Sequence, residues 1–204
     1  MSSETRAYEL KERARRQEET RQRIAAATAE LHEEDGPAKT TIAEIARRAG
    51  VQRPTVYNNF PAERELYAAC QAHFFGQHPL PDPSAALALA DPAARARAVL
   101  TLFYGWYRET AAMTGKIQRD RRLLPELDAL LAEGADPLLD GIAAQLAAAF
   151  RLRGKRSARA RAALRLALDF ATWERLSLEG LADAEAAALM VGAATARLAP
   201  LPAG

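Results

Sequence analysis

Apolar residues recur along this chain at three- and four-residue spacing. β-Branched and aromatic residues never alternate with polar ones over a useful length, and Ala, Leu, Arg and Glu dominate instead. The pattern predicts an all-α fold. Residues 1–19 are charged, with Tyr8 and Leu10 almost the only apolar positions, and are expected to be a poorly ordered arm or a solvated extension of the first helix. From about Thr20 to Glu34, Ile24, Ala27, Thr28 and Leu31 line one face. Asp35-Gly36-Pro37 then stops the helix with a turn former, a φ-permissive residue and a breaker. Thr41 followed by Glu44 reads as a capping box opening Ile42, Ile45, Ala46 and Ala49, and Gly50 closes that short helix. Pro54 suits the first turn of a third, equally short helix. Asn59-Phe60-Pro61 ends it and starts a fourth, which carries Leu66, Tyr67, Cys70 and Phe74 toward His78. Pro79, Pro81 and Pro83 form a linker.

Longer helical segments follow over 92–113, 116–132 (interrupted at Pro125), 135–152, 157–179 and 183–199. The 157–179 segment has two apolar sides, with Leu164, Ala167, Leu168, Ala171 and Leu178 on one and Leu166, Phe170 and Trp173 nearly opposite, so it is expected to be covered twice. The last segment is apolar almost all round through Leu189, Met190, Val191, Ala193, Ala194 and Leu198. A second subunit is its economical cover.

Composition narrows the class. The chain has 204 residues, 49% of them apolar types and 26% charged, with 28 Lys plus Arg against 26 Asp plus Glu, the profile of a folded chain with room for a substantial core. Its single cysteine, Cys70, excludes an internal disulfide, and with no CxxC or Cys/His cluster it fits a reducing, cytoplasmic compartment without structural zinc. The first twenty residues are charged where a signal peptide is apolar, and no long uncharged apolar run occurs. His32, His73 and His78 are isolated, so neither a metal nor another cofactor is expected. Two basic stretches stand out. Between Lys39 and Phe60 the cations Lys39, Arg47, Arg48 and Arg53 meet one acid, Glu44. Between Arg151 and Arg165 there are seven cations and no acid, a block that reads as a solvated loop and helix start.

The informative stretch is Ile42–Phe60, IAEIARRAGVQRPTVYNNF. Two short helices with small Ala46 at their crossing, Gly50 in the turn and Ile45, Val51 and Val56 between them make a helix-turn-helix. The outer side of the second helix, with Gln52, Arg53, Thr55, Tyr57 and Asn58, offers hydrogen-bonding groups suited to phosphates and base edges. From Ile24 through Leu66, the combination of Thr40-Thr41, Ile45-Ala46, Ala49-Gly50-Val51, Thr55-Val56-Tyr57, Asn59-Phe60 and Glu65-Leu66 resembles the DNA-binding domain of the TetR (tetracycline repressor) family of bacterial transcription regulators. A Leu-Pro-Glu-Leu turn (Leu124 to Leu127) and an Asp-Phe-x-x-Trp segment (Asp169 to Trp173) extend the likeness weakly into the rest of the chain.

The resemblance implies a charged extension over 1–19, a helix-turn-helix domain over 20–66, and an effector-binding and dimerisation domain over 67–204. It also implies a homodimeric repressor that binds palindromic double-stranded DNA and is released by a small, mostly apolar ligand. By position, Thr41 caps the second helix and touches the backbone. Ala43 stands where relatives often place a long base reader, and keeps at most an apolar touch to a thymine methyl. Arg53 and Pro54 face the major groove, with Arg53 the candidate for a bidentate guanine contact, while Thr55 and Tyr57 offer hydroxyls to phosphates. Asn59 replaces a frequent histidine. Glu63 stands where a lysine is usual, so either Arg64 takes over or the backbone grip is weaker. Arg47 and Arg48 are expected on a solvated helix face, and Cys70 in packing.

In the larger domain, Phe103, Trp106, Tyr107, Met113, Phe170 and Trp173 suit an apolar or aromatic effector, with Asp169 beside them to orient a polar group. Leu164, Leu168, Ala171, Leu178, Leu189, Met190, Ala193 and Ala194 are expected at the dimer interface. An all-α enzyme and a helical interaction protein are the competing classes. Against an enzyme stands the lack of a Gly-rich phosphate loop, a metal pair or a nucleophile with its base at recognisable spacing.

Overall fold

The computed structural model describes residues 3–196, which contain no strand. Its helices are α1 (Ser3–Glu34), α2 (Ile42–Ala49), α3 (Arg53–Asn59), α4 (Glu63–Gln77), α5 (Ser84–Leu87), α6 (Pro92–Asp120), α7 (Pro125–Glu133), α8 (Ala135–Ala149), α9 (Gly154–Ala167), α10 (Phe170–Leu178) and α11 (Asp183–Ala196). Leu198, assigned to the last helix by its periodicity, lies outside the described residues, as do Met1 and Ser2.

Three boundaries differ from expectation. Of the alternatives for residues 1–19, a poorly ordered or arm-like tail and a solvated extension of the first helix, the second holds from Ser3 onward, so the first helix begins there and not near Thr20. No apolar face supports this stretch. Side-chain pairs at helical spacing do, with Arg15 on Glu12 at 2.8 Å, Arg16 on Glu12 at 2.9 Å and the Gln22 amide on Glu18 at 3.2 Å. Next, α6 continues through Thr114 and Gly115 to Asp120, so no helix begins at 116. The break comes at Leu124 instead, whose extended backbone (φ −127°, ψ 91°) is what a residue before proline prefers.

The third difference is the split of the 157–179 segment into α9 and α10. Asp169 adopts ψ 136°, and the helix restarts with the amides of Thr172 and Trp173 donating to its carbonyl. Such a break frees carbonyls, and three hydroxyls take them. Thr172 donates to the Leu166 carbonyl at 2.6 Å, Tyr104 to that of Ala167 at 2.7 Å, and Tyr107 to that of Leu168 at 2.7 Å. Periodicity cannot register a break two of whose three hydroxyl partners lie more than sixty positions upstream.

By packing, the chain divides into two compact units, residues 1–79 with 116–130 and residues 80–115 with 131–204. All of α4 therefore packs in the first unit, beyond the expected functional boundary at Leu66. In that unit Ile24, Ala27 and Leu31 of α1 meet Ile45, Ala46 and Ala49 of α2, Val56 of α3, Phe60, and Leu66 of α4. The turn after α1 is tied down by the last residues of α6. Buried Asp120 accepts from the Ala38 amide at 3.0 Å, Lys116 donates to the Glu33 carbonyl at 2.5 Å, and Arg119 to the Asp35 carbonyl at 3.2 Å. Arg119, and after it the Ala38 amide, hold the Asp120 carboxyl below the usual carboxylate range. Gly36 is required here on two counts, since its φ is +96° and a Cβ would sit 2.6 Å from the Asp120 carboxylate.

The core of the second unit is built on Val99, Leu100 and Tyr104 of α6, Leu146 of α8, Leu164 of α9, Leu168 in the break and Val191 of α11. Buried alanines (Ala96, Ala143, Ala160, Ala167, Ala186, Ala187) let the helices approach closely.

His32 and Cys70 are buried together in the first unit, with Sγ 3.5 Å from Nδ1. Desolvation pushes the imidazole down to about 4 from its usual 6.5, against a smaller upward pull from Asp120, and burial pushes the thiol up to about 12. The unfolded chain therefore takes up the histidine proton first. Stability from this group is complete above about pH 6.5 and is lost by about 3 kcal/mol as pH falls to 4. We predict that the urea midpoint followed by far-UV circular dichroism drops more steeply between pH 6.5 and 4 in the native protein than in His32→Leu. Parallel pH profiles would remove His32 from this role.

Candidate nucleic-acid interface

The helix-turn-helix is set by local chemistry at both joints. Before α2 the Thr41 hydroxyl accepts from the Glu44 amide at 3.3 Å, and the Glu44 carboxylate accepts from the Thr41 amide at 3.1 Å and hydroxyl at 2.7 Å, completing the capping box. These bonds hold the Glu44 carboxyl below its usual range. After α2, Gly50 takes the left-handed conformation (φ 66°), and the Val51 amide donates back to the Ala46 carbonyl at 2.9 Å. No neighbour crowds Gly50, so backbone conformation alone demands glycine there.

Helix α3 has seven residues, Pro54 in its first turn, and Phe60 as its C-cap with its amide on the Val56 carbonyl. Val56 and Phe60 are buried, and the opposite arc exposes Arg53, Pro54, Tyr57 (56% exposed) and Asn58, with Gln52 exposed just before the helix and Thr55 half-buried at its flank. Arg53, Pro54, Tyr57 and Asn58 fall within roughly 140° of one another around the helix axis. Among the described residues Lys39, Arg47 and Arg53 enter no ion pair, although Arg47 acts electrostatically on Glu34 and Glu44 and Lys39 on Asp120.

Several expected site residues are placed otherwise. Asn59 is 93% buried. Three positions after Val56, it falls on the inward stripe, where its amide nitrogen donates to the Thr55 carbonyl at 2.8 Å. Its side-chain oxygen has no partner. Thr41 is exposed but committed to its cap, and Ala43 is half-buried. Arg48 is not on a free solvated face. It grips Glu34 through both terminal nitrogens (2.7 and 2.8 Å) and Glu30 at 3.1 Å, tying α2 to α1. Glu63 is engaged by the Tyr67 hydroxyl at 2.7 Å one turn along α4, and Arg64 beside it is half-buried.

Arg21 is the residue that sequence reasoning missed. Its guanidinium donates to the Asn59 carbonyl and lies 4.2 Å from the centre of the Phe60 ring, fastening the C-terminal end of α3 to α1. Nothing distinguishes it in the sequence from the charged residues around it.

In the second unit Phe103, Tyr107, Phe170 and Trp173 share one core, with Trp106 packed against it. Tyr107 and Phe170 meet edge to face at 5.5 Å, and Phe170 and Trp173 are 5.3 Å apart. Met113 is buried farther along α6. The polar atoms of the cluster are engaged, since the Tyr107 hydroxyl is on the Leu168 carbonyl and the Trp173 indole nitrogen donates to Asp183 at 3.0 Å. Asp169 is paired with Arg165. A ligand entering here has to displace ring contacts.

Of the positions expected at a subunit interface, Leu164, Leu168 and Ala194 are buried in the unit's own core and leave nothing for a partner. Ala171, Leu178 (77% exposed), Leu189 (52% exposed) and Ala193 face outward, and Met190 is half-buried.

Comparison with known proteins places the match where the helix-turn-helix lies. Residues 24–70 match the family described as bacterial regulatory proteins, tetR family. Over 47 residues the chain is 49% identical to uncharacterized HTH-type transcriptional regulators of Mycobacterium tuberculosis (strain CDC 1551 / Oshkosh) and Mycobacterium bovis (strain ATCC BAA-935 / AF2122/97). That stretch is 23% of this chain and 25% of each relative, so the match spans about a quarter of their length. The fold is similar to the crystal structure of a tetR-family transcriptional regulator from Streptomyces coelicolor, with TM-score 0.60 and 21% identity over 88% of this chain and 80% of that one. It is also similar to a transcriptional regulator from Rhodococcus sp. Rha1, with TM-score 0.54 and 21% identity over 87% of this chain and 96% of that one.

The capping box generates a direct test. Thr41→Ala should lower unfolding stability by about 1 kcal/mol in urea titrations followed by circular dichroism, and Thr41→Ser should restore most of it. Equal stability of all three proteins would deny the box a structural role.

Proposed function

We propose that the chain, whose residues 24–70 match the tetR family of bacterial regulatory proteins, is a member of that family and a dimeric, sequence-specific DNA-binding repressor released by a small, mostly apolar ligand. The observation that carries the reading is the outer arc of α3. Arg53, Pro54, Tyr57 and Asn58 stand exposed on a helix whose opposite side is fixed in the core, with Gln52 and Thr55 at the margins. That arrangement suits a helix lying in the major groove, where Arg53 reads a guanine edge and the Thr55 and Tyr57 hydroxyls hold phosphates. Arg64, at the start of α4, supplies a cation near the phosphates where Glu63 cannot. Thr41 contributes through its cap, and Ala43 through at most an apolar touch.

Two copies are needed because one helix of this size contacts too few bases for useful specificity. Leu178, Leu189, Ala171, Ala193 and Met190 are the outward apolar positions that a second copy would cover. In the second unit the ligand would enter among Phe103, Trp106, Tyr107, Phe170 and Trp173, with Met113 and Asp169 at its borders. It would favour the arrangement in which the two reading helices no longer match successive major grooves. No described helix is long and apolar enough to cross a membrane.

Arg53→Ala should weaken binding by about 1–3 kcal/mol at cognate sites and relax preference at one position per half-site. Tyr57→Phe should weaken all sequences alike. Fluorescence anisotropy on a randomised duplex library separates the two patterns, and indifference of both variants would overturn the docking. Leu189→Asp should convert the dimer to monomer in light scattering and abolish binding to palindromes. A variant that stays dimeric would move the interface elsewhere.

A further inference from the structure

Among the described residues, many arginines are engaged. Arg48 holds two glutamates, Arg108 holds Asp183, Arg121 holds Asp128, and Arg165 holds both Asp140 and Asp169. The corner between α8 and α9 is different. Arg151, Arg153, Lys155, Arg156, Arg159 and Arg161 are all exposed, and among the described residues none of the six makes an ion pair or a side-chain hydrogen bond. No acid lies between Arg151 and Arg165.

The placement runs against helix electrostatics. The N-terminal end of a helix carries partial positive charge and favours acids, as the first turns of α2, α4, α7, α8 and α11 all display. Helix α9 begins instead with Arg153 as N-cap and Lys155 and Arg156 in its first turn, and has no acid there. This concentration of like charge destabilises the free protein and is relieved when an anion arrives.

The cations do not converge on a cavity. Lys155, Arg156 and Arg159 spread over an arc of roughly 100° on α9, and Arg151 and Arg153 continue it into the preceding turn. An extended polyanion fits such a surface better than a small anion. Five of the six are arginines, whose planar forks pair bidentately with phosphate oxygens.

We infer that the α8–α9 corner is a second, sequence-independent surface for the phosphate backbone of duplex DNA, on a unit that carries no helix-turn-helix. The inference rests on the DNA-binding reading above, which supplies the duplex as occupant. The surface would add affinity and salt dependence without adding base preference.

The test compares the full-length protein with Arg153→Gln/Lys155→Gln/Arg156→Gln/Arg159→Gln, a variant changed only at exposed positions, by anisotropy on a mixed-sequence duplex across a NaCl series. Each phosphate contact contributes about 0.9 to the slope of log affinity against log salt. The expected result is a slope shallower by about 2 or more and about tenfold weaker binding at low salt, with preference for a selected sequence over the mixed duplex retained. Lys155→Gln/Arg159→Gln, a milder change, should show about half the effect. An unchanged slope in these variants, with Arg53→Ala still relaxing preference, overturns this surface and leaves the α3 reading standing. A reduced slope with Arg53→Ala silent does the opposite. No duplex affinity in the native protein overturns both. An unchanged slope accompanied by lost binding to phosphatidylglycerol vesicles assigns the corner to a membrane and also overturns the inference.

Discussion

A seven-residue helix has no stability of its own in water, because nucleating the first turn fixes several residues for a single hydrogen bond. Helix α3 exists because Val56 and Phe60 are drawn into a core that α1, α2 and α4 have already enclosed. Everything its outer arc can do depends on that burial. The same constraint explains the care taken at its margins, where Gly50 sets the entry and Arg21 clamps the exit by bonding the Asn59 carbonyl and covering the Phe60 ring. Freed of any packing duty, Arg53, Pro54, Tyr57 and Asn58 can be chosen for what they recognise.

The parts of this head that were legible in the sequence are those written locally. The capping box, the left-handed glycine, the proline in the first turn of α3 and the apolar stripe through Ile45, Ala46 and Val56 are all signals within a few residues of what they determine. The side chains that bind one helix to another were not legible. Arg21, Arg48, Arg119 and Asp120 look like any other charged residues of an amphipathic surface, and their partners are identified only once the chain has folded. Asn59 marks the limit of arguing by position. Standing between an exposed asparagine and a buried phenylalanine, it belongs by helical register to the inner side.

The second unit makes the same point at larger scale. Composition and periodicity revealed its helices, but the break at Leu168 and Asp169 depends on hydroxyls from Tyr104 and Tyr107, two residues a turn apart on α6 that accommodate neighbouring carbonyls. The break also explains why apolar positions on the expected continuous helix part company. Leu164 and Leu168 are consumed by the core before it, whereas Ala171 and Leu178, after the restart, are left outside. An interface assembled from α10 and α11 therefore has fewer large anchors than the sequence promised, chiefly Leu178 and Leu189. The aromatic cluster is constrained likewise. Tyr107 both lines it and secures the break, so any molecule that shifts this ring also disturbs the start of α10.

Charge is distributed by a consistent logic. Along the outer part of α1, where no core supports the helix, arginines and glutamates alternate at helical spacing and hold one another. In the head an ion pair joins α2 to α1, and at the end of α6 hydrogen bonds between charged side chains and backbone groups join it to the turn after α1. Among the described residues, exposed cations without an ion pair gather most densely at the α8–α9 corner and also occur on the α2–α3 side of the head. Helix electrostatics do not account for Arg53 at the start of α3 or for the cations at the start of α9, since exposed cations at a helix start oppose the backbone dipole. A polyanion accounts for both at once. It requires only that cations be accessible and outside close ion pairs, the property that distinguishes these two groups from the arginines that hold the fold together.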